Sequence, residues 1–310
     1  MRYLVTGGAG FIGSNLVTRL LNDGHEVVVI DNESSDAHKQ FYWDDRAENY
    51  KYDITDYEKI FPLFKGVDVV FHIAAQARIQ ICINDPTTAV KTNMLGTCCV
   101  LQAAKENGVR RLVYSSTSSA YGLANDPPLV ETMPNDCLNP YSVSKVSGEE
   151  LCKMYSDLYD FETIIFRYFN VYGERQPIKG QYAQVIGVFQ RQFATGEPIT
   201  VVGDGLQTRD YTHVSDVIEA NLAAANTDNK NAIGEIFNIG YGENHSVMDL
   251  VKMIGGWDSP EEGKDFVYIP ERPGEARHTL SDTTKSYQML DWTAKIKLKN
   301  WITLCKQPSV

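Results

Sequence analysis

The stretch RYLVTGGAGFIGSNLVTRL, residues 2–20, decides the fold. RYLVT (2–6) reads as a short buried strand, and the residues from 11 to 22 carry a helical pattern. Between them TGGAGFIG (6–13) spaces Gly7, Gly10 and Gly13 three apart. One glycine makes a tight turn, one lets backbone approach a pyrophosphate, and one lets helix and strand pack closely. The helix N-terminus then offers free N–H groups and the positive end of its dipole to phosphates. An ordinary glycine turn would not need the acid at the end of the next strand, EVVVI (26–30), where Asp31 follows Gly13 by 18 residues. A carboxylate there accepts the adenosine ribose hydroxyls and repels a 2′-phosphate. Residues 32–35 contain no Arg to bind such a phosphate, so the expected cofactor is NAD rather than NADP. A turn or helix cap is the plainer reading of Asp31. Asp53 is placed either to reach the adenine amino group or to cap the helix expected at 56–65.

Working outward, short apolar runs alternate with helical patterns. Strands are expected at 2–6, 26–30, 49–52, 68–73, 111–116 and 162–167, with helices at 11–22, 56–65, 87–107 and 141–159. Strands that are nearly all apolar, separated by helices, indicate a parallel sheet covered on both faces. The fold class is therefore α/β, a doubly wound parallel sheet of the Rossmann type. After residue 170 the rhythm loosens. Helices at 183–195, 214–226, 246–254 and 283–306 and strands at 199–203, 235–240 and 265–269 suggest a smaller mixed α/β lobe. The expected division is a dinucleotide-binding domain over 1–170 and a substrate-binding lobe over 171–310, with 213–242 returning to the main sheet.

Composition narrows the function classes. The 310 residues are 43% hydrophobic and 22% charged, as in a soluble globular protein. The 29 Lys and Arg against 40 Asp and Glu leave a net charge of −11, which argues against a nucleic-acid binder. No apolar run is long enough for a bilayer, and no secretory leader is visible, so a cytoplasmic protein without membrane contact is expected. The six cysteines (82, 98, 99, 137, 152 and 305) fit neither a zinc motif nor a disulfide framework; free thiols and no metal are expected.

The chemistry is expected in SSTSSAYG (115–122), a run of hydroxyls that closes a buried strand, and in YSVSK (141–145) at a helix start after Pro140. Spacing of i and i+4 puts Tyr141 and Lys145 on one helix face. A free tyrosine is a poor base at neutrality. An ammonium ~6 Å away at an effective dielectric of ~20 favours the phenolate by roughly 3 kcal/mol, or two pKa units. Alone, a Tyr–Lys helical pair is an ordinary surface feature; in a chain with a dinucleotide turn it points to proton transfer.

The ordered set TGGAGFIG, HIAAQA (72–77), KTNMLGT (91–97), SSTSSAYG, YSVSK, RYFNVYG (167–173), RDYTHVSD (209–216) and ERPGEARHTLSD (271–282) resembles the extended short-chain dehydrogenase/reductase family, specifically its nucleotide-sugar epimerases. The resemblance covers nearly the whole chain and implies a catalytic group of Thr117, Tyr141 and Lys145. It implies cofactor contacts from Gly7, Gly10, Phe11, Ile12, Gly13, Asp31, Asn32, Asp53, Ile54, Ala74, Ala75, Gln76, Asn93, Ser115, Tyr141, Lys145 and Tyr168. The implied reaction is removal of hydride and a proton at sugar C4, turning of the 4-keto sugar, and return of hydride to its other face. Dehydratases of the family carry Asp-Glu where this chain has Ser118 and Ser119, and its decarboxylases place a Glu near Ser119 or Ala120. The resemblance therefore favours epimerisation of UDP-GlcNAc/UDP-GalNAc or UDP-Glc/UDP-Gal. UDP-glucuronate epimerisation or decarboxylation, 4,6-dehydration and a non-catalytic dinucleotide-binding role are the alternatives.

On the substrate side the resemblance puts Ser118 and Ser119 against the sugar, Asn170, Arg209 and Arg272 on the diphosphate, and Thr200 and Val202 beside a base, most often uracil. Arginine suits phosphate because its planar fork grips two oxygens. Thr279 falls where a small residue leaves room for an N-acetyl group at C2. Lys179 replaces a usual Asn and reaches either the diphosphate or solvent. Arg78 reads a carboxylate or pairs with Asp85. A homodimer is implied through the helices at 87–107 and 141–159, with Leu95, Val100, Leu101, Leu151 and Met154 on the interface or against their own sheet.

Overall fold

The computed structural model describes residues 1–35, 38, 40–178, 184–271 and 276–305. Lys179 and Arg272, both expected at the substrate, lie outside the described residues. The first strand and helix form where the opening stretch puts them, β1 at Arg2–Thr6 and α1 at Phe11–Asn22, followed by β2 at Glu26–Ile30 and β3 at Glu48–Tyr50. The chain then makes α2 (Tyr57–Ile60), β4 (Val69–His72), α3 (Ile79–Asn84), α4 (Pro86–Val90), α5 (Gly96–Glu106), β5 (Arg111–Thr117), α6 (Pro140–Tyr159) and β6 (Glu162–Tyr168).

The smaller lobe opens with β7 (Val171–Tyr172), α7 (Val185–Thr195), β8 (Ile199–Val202), β9 (Thr208–Asp210) and β10 (Thr212–His213). Next come α8 (Val214–Asn226), β11 (Ile236–Ile239), β12 (Asn244–Ser246), α9 (Val247–Gly255), β13 (Phe266–Ile269), α10 (Thr284–Leu290) and α11 (Leu298–Cys305).

Seven strands form one parallel sheet in the order β11-β6-β5-β4-β1-β2-β3. The order reverses between β1 and β4, which opens a crevice at the carboxyl ends of those strands. Alternating residues feed two cores. Tyr3, Val5, Val27 and Val29 pack on the face covered by α1 and α8, and Leu4, Val28 and Ile30 on the face covered by α5 and α6. β11 pairs with β6 through Ile236–Ile165 to Ile239–Tyr168, so a segment from late in the chain completes the main sheet. The smaller lobe has its own core of Tyr172, Phe189, Val201, Leu250, Phe266 and Trp301, with β8 paired to β13 and β9 to β12.

Three expected helices are broken. The 56–65 helix ends after one turn in a 3₁₀ segment, Phe61–Phe64, because Pro62 has no N–H to continue it. The 87–107 helix is interrupted by a π turn at Lys91–Leu95, where the Asn93 carbonyl accepts from the Thr97 hydroxyl at 2.6 Å. The 283–306 helix is two helices. Asp291 takes a left-handed conformation (φ 51°), Trp292 turns into the core and its indole N–H donates to the Asp216 carbonyl, and the Ile296 N–H donates to the Asp216 carboxylate. The short helix α3 is not marked by any periodicity in the sequence.

Val100 and Leu101 are fully buried against their own sheet, the second of the two readings open for them. Leu151 is partly buried on the same core, whereas Leu95 and Met154 are exposed beside Val90, Met94, Val143 and Leu158. Among the described residues no helix is long and apolar enough to cross a membrane.

Candidate active site

A cleft of about 810 Å³ runs from the glycine turn, past the end of β5, to the smaller lobe. Its floor is the turn between β1 and α1. A Cβ on Gly13 would lie 2.1 Å from the Gly7 carbonyl oxygen, and one on Gly7 2.8 Å from the backbone of Ala74. Those contacts leave room only for hydrogen, so strand, helix and the 73–77 segment meet backbone to backbone. Gly10, Phe11 and Ile12 complete this wall. The first turn of α1 carries neither an acidic residue nor a side-chain cap, leaving its N–H groups for an anion. At the end of β2 the Asp31 carboxylate is held by the N–H groups of Ala9 (3.1 Å) and Glu33 (2.8 Å), while burial pushes its pKa up against them. A glycine cradle, open helix N–H groups and a fixed, desolvated carboxylate together fit a dinucleotide's diphosphate and ribose.

Asn32, Ile54, Ala74, Ala75, Gln76 and Tyr168 also line the cleft. Four other expected cofactor residues do not, each for a visible reason. Asp53 spends its carboxylate on Asn32 (2.9 Å) and on the Thr55 N–H and hydroxyl, so it neither lines the cleft nor caps α2, whose N-cap is Asp56. Asn93 accepts from the Gln76 N–H (2.7 Å) and donates to the Gln76 carbonyl and the Ser144 hydroxyl, so it shapes the cleft wall from behind. Ser115 points away and donates to the Tyr168 hydroxyl at 3.1 Å. Lys145 is buried, its ammonium 4.1 Å over the Tyr114 ring.

The start of α6 places the candidate pair, Tyr141 and Lys145. Asn139 and Ser142 form a capping box and Pro140 occupies the first turn, so Tyr141 enters the cleft in a fixed frame. Its phenol faces Thr117, whose side chain holds the phenol's pKa down and whose hydroxyl accepts from the Ser119 N–H at 3.1 Å. Ser116, Ser118 and Ser119 line the cleft beside them. Burial governs the titration of both groups of the pair, in opposite directions. It pushes Tyr141 up to about 12, opposed by Thr117, and Lys145 down to about 7, opposed by Cys152 and Glu149. The expectation that Lys145 lowers the phenol by two units is therefore corrected: in the protein alone burial raises the phenol, and Thr117, not Lys145, is the group that opposes the rise.

Toward the smaller lobe the cleft is lined by Arg78, Asn170, Thr200, Val202, Arg209 and Thr279, so the described substrate candidates converge. Asn170 donates to the Asp210 carbonyl at 2.9 Å, and one Arg209 nitrogen donates to the carbonyls of Thr208 and Arg277. Asp85 caps α4, accepting from the Thr88 N–H. Several residues were not anticipated. Asp210 is a buried carboxylate that takes the N–H groups of Tyr241, Gly242 and Ser281 and the Ser281 hydroxyl, tying β9 to the segments on either side. Gln192 holds Thr200, donating to its hydroxyl at 3.0 Å. His38, Phe41 and Tyr52 close the adenosine end. Gln192 lies in a helical pattern where it reads as a solvated side chain, and His38 in a polar loop without periodicity, so only Asp210, inside a quoted motif, carried a signal.

Comparison with known proteins agrees with this geometry. The pattern of the NAD dependent epimerase/dehydratase family matches residues 3–240. The chain is 38% identical to a putative UDP-glucose 4-epimerase of Methanocaldococcus jannaschii, covering 96% of this chain and 95% of that one. It is 31% identical to a UDP-glucuronate 4-epimerase of Thermodesulfobacterium geofontis, covering 96% and 92%. The structure superposes on that of a UDP-glucose 4-epimerase from Thermotoga maritima, solved with UDP-glucose, with a TM-score of 0.90 at 35% identity over 98% and 97% of the two chains. The chain belongs to the NAD dependent epimerase/dehydratase family.

Proposed function

We propose that this family member is a nucleotide-sugar 4-epimerase acting on UDP-linked hexoses, with UDP-GlcNAc/UDP-GalNAc and UDP-Glc/UDP-Gal as its preferred pairs. The observation that carries the reading is the placement of Tyr141 beside Thr117 in a cleft with a dinucleotide cradle at one end and Asn170 and Arg209 at the other. Bound NAD supplies a hydride acceptor and donor at sugar C4. The chain does the rest. Thr117 orients the sugar 4-hydroxyl, and Tyr141 takes its proton and returns it. Lys145 keeps positive charge beneath the pair, and Arg209 and Asn170 anchor the diphosphate while the sugar turns. The small Thr279 leaves room at C2, and Thr200 and Val202 flank the base. Ser118, Ser119 and Ala120 supply no acid for removing water or driving decarboxylation.

Purified protein incubated with UDP-GlcNAc or UDP-Glc, without added NAD, is expected to give the C4 epimer by proton NMR with no accumulation of NADH. Failure to interconvert either pair overturns the assignment. Arg78 in the cleft wall supports a second reading, a substrate with a carboxylate on the sugar, so UDP-glucuronate belongs in the same series. The proposal extends to a cytoplasmic homodimer. The six thiols are unpaired, and Val90, Met94, Leu95, Val143, Met154 and Leu158 form an exposed apolar strip on the α4–α5 and α6 side. Sedimentation is expected to show twice the 34.8 kDa chain mass, and Leu95→Arg to shift it to monomer; a wild-type monomer at micromolar concentration refutes the dimer.

A further inference from the structure

The face of α6 that carries Tyr141 and Lys145 continues, one turn on, to Glu149, at i, i+4 and i+8. Glu149 and Arg167 are both almost completely buried, and among the described residues no other ion pair has both partners so deep. Glu149 Oε1 accepts from Arg167 Nε (2.9 Å) and from the Ser116 hydroxyl (2.5 Å), and Oε2 accepts from Arg167 Nη2 (2.6 Å). Arg167 Nη2 also donates to Asn135 (2.6 Å), and the guanidinium lies 4.6 Å over the Tyr121 ring. Arg167 Nη1 has no partner among the described residues.

A buried ion pair with an unsatisfied nitrogen is a poor source of stability, since removing two charges from water offsets their attraction. Its geometry accounts for its presence differently. The pair joins three elements at one point, with Glu149 on α6, Ser116 on β5 and Arg167 on β6. Ser116 is the residue before Thr117, and Thr117 faces Tyr141 in the cleft. We propose that Glu149 and Arg167 are positioning residues that clamp α6 to the end of β5 and so hold Thr117, Tyr141 and Lys145 in register.

The clamp has an electrostatic side. Lys145 is faced by Glu149 and Cys152 from its own helix, by the Tyr114 ring from β5 and by His72 from β4. His72 is neutral, held down at about 3 by burial between the hydroxyls of Thr6 and Thr97. Glu149 in turn is faced by Arg167, Ser116, the Tyr114 hydroxyl and the Cys137 thiol. Glu149 is therefore the carboxylate that favours the Lys145 ammonium.

The proposal rests on the epimerase reading, and its test separates the two. Ser116→Ala removes one hydroxyl from the clamp and is expected to lower kcat ~10-fold with KM nearly unchanged and NAD retained. Glu149→Gln is expected to lower kcat about 100-fold, the cost of a misplacement near 1 Å. It also moves the lower of the two apparent pKa values of the pH profile down, because Lys145, held at about 7, then loses its proton at lower pH. Glu149→Asp restores part of both. Should Glu149→Gln fail to fold, Glu149→Gln with Arg167→Met leaves no unpaired buried charge and takes its place. Wild-type kcat and an unmoved lower apparent pKa in these variants, assayed below their own melting temperatures, overturn the proposal. If the wild type converts no sugar nucleotide, the epimerase reading fails, and NMR titration of ¹³C-labelled Lys145 decides the clamp: an unchanged titration on loss of the Glu149 charge refutes it.

Discussion

Tyr141→Phe is expected to lower turnover by about 10²–10⁴-fold, the range for losing a positioned proton donor and acceptor, while NAD remains bound. The substitution deletes one oxygen from a half-buried side chain and keeps its ring, so melting temperature and NAD content measure folding independently of rate. Thr117 is the hydroxyl beside the phenol that opposes its upward shift. A Phe variant with wild-type turnover refutes Tyr141 as the base. The titration of the pair sharpens the expectation. Without ligands, burial holds Tyr141 at about 12 and Lys145 at about 7. A phenol at that value is neutral at pH 7, and base catalysis by it grows as pH rises. Lys145, lowered from its ordinary value, loses its ammonium over the same rise and with it the positive charge that favours phenolate. The opposed trends predict a bell-shaped profile whose apparent pKa values belong to the pair.

Gly13→Ala is expected to abolish NAD retention and to destabilise the fold. The added methyl would sit 2.1 Å from the Gly7 carbonyl oxygen and 2.8 Å from both the Gly7 carbonyl carbon and the Gly8 Cα, all backbone atoms that no rotamer change can move. Relief requires pushing α1 off β1, which costs about 3 kcal/mol by the measure of overpacked cores and opens the phosphate cradle. Nucleotide released on denaturing the purified variant, measured against wild type, together with its melting temperature, checks this. A Gly13→Ala variant with full NAD content and unchanged melting removes the close-packing account of the turn.

The cofactor end was legible because its constraints are local. Gly7, Gly10, Gly13 and Asp31 act through backbone geometry and chain spacing, and the first strand and helix fall where their residues put them. Sheet topology followed from the strand–helix alternation. Local signals failed where side chains serve distant partners. Asn93 reads as a cofactor ligand but bonds Gln76 and Ser144, and the helix expected over 283–306 breaks so that Trp292 can reach Asp216. Val100 and Leu101 have the same apolar character as Leu95, and only packing tells which faces the sheet.

Reaction class was written in the linear order of motifs, in Tyr141, Lys145 and the serines at 118–119, because which atoms can carry protons is a property of residue type. Proton affinity was not. It depends on how much water the fold removes from each group, and burial moves Tyr141 up and Lys145 down, against the attraction their spacing suggests. The clamp of Glu149, Arg167 and Ser116 likewise came into view only with packing. Its three residues lie 33 and 18 positions apart in the chain and meet because a helix and two parallel strands share one core.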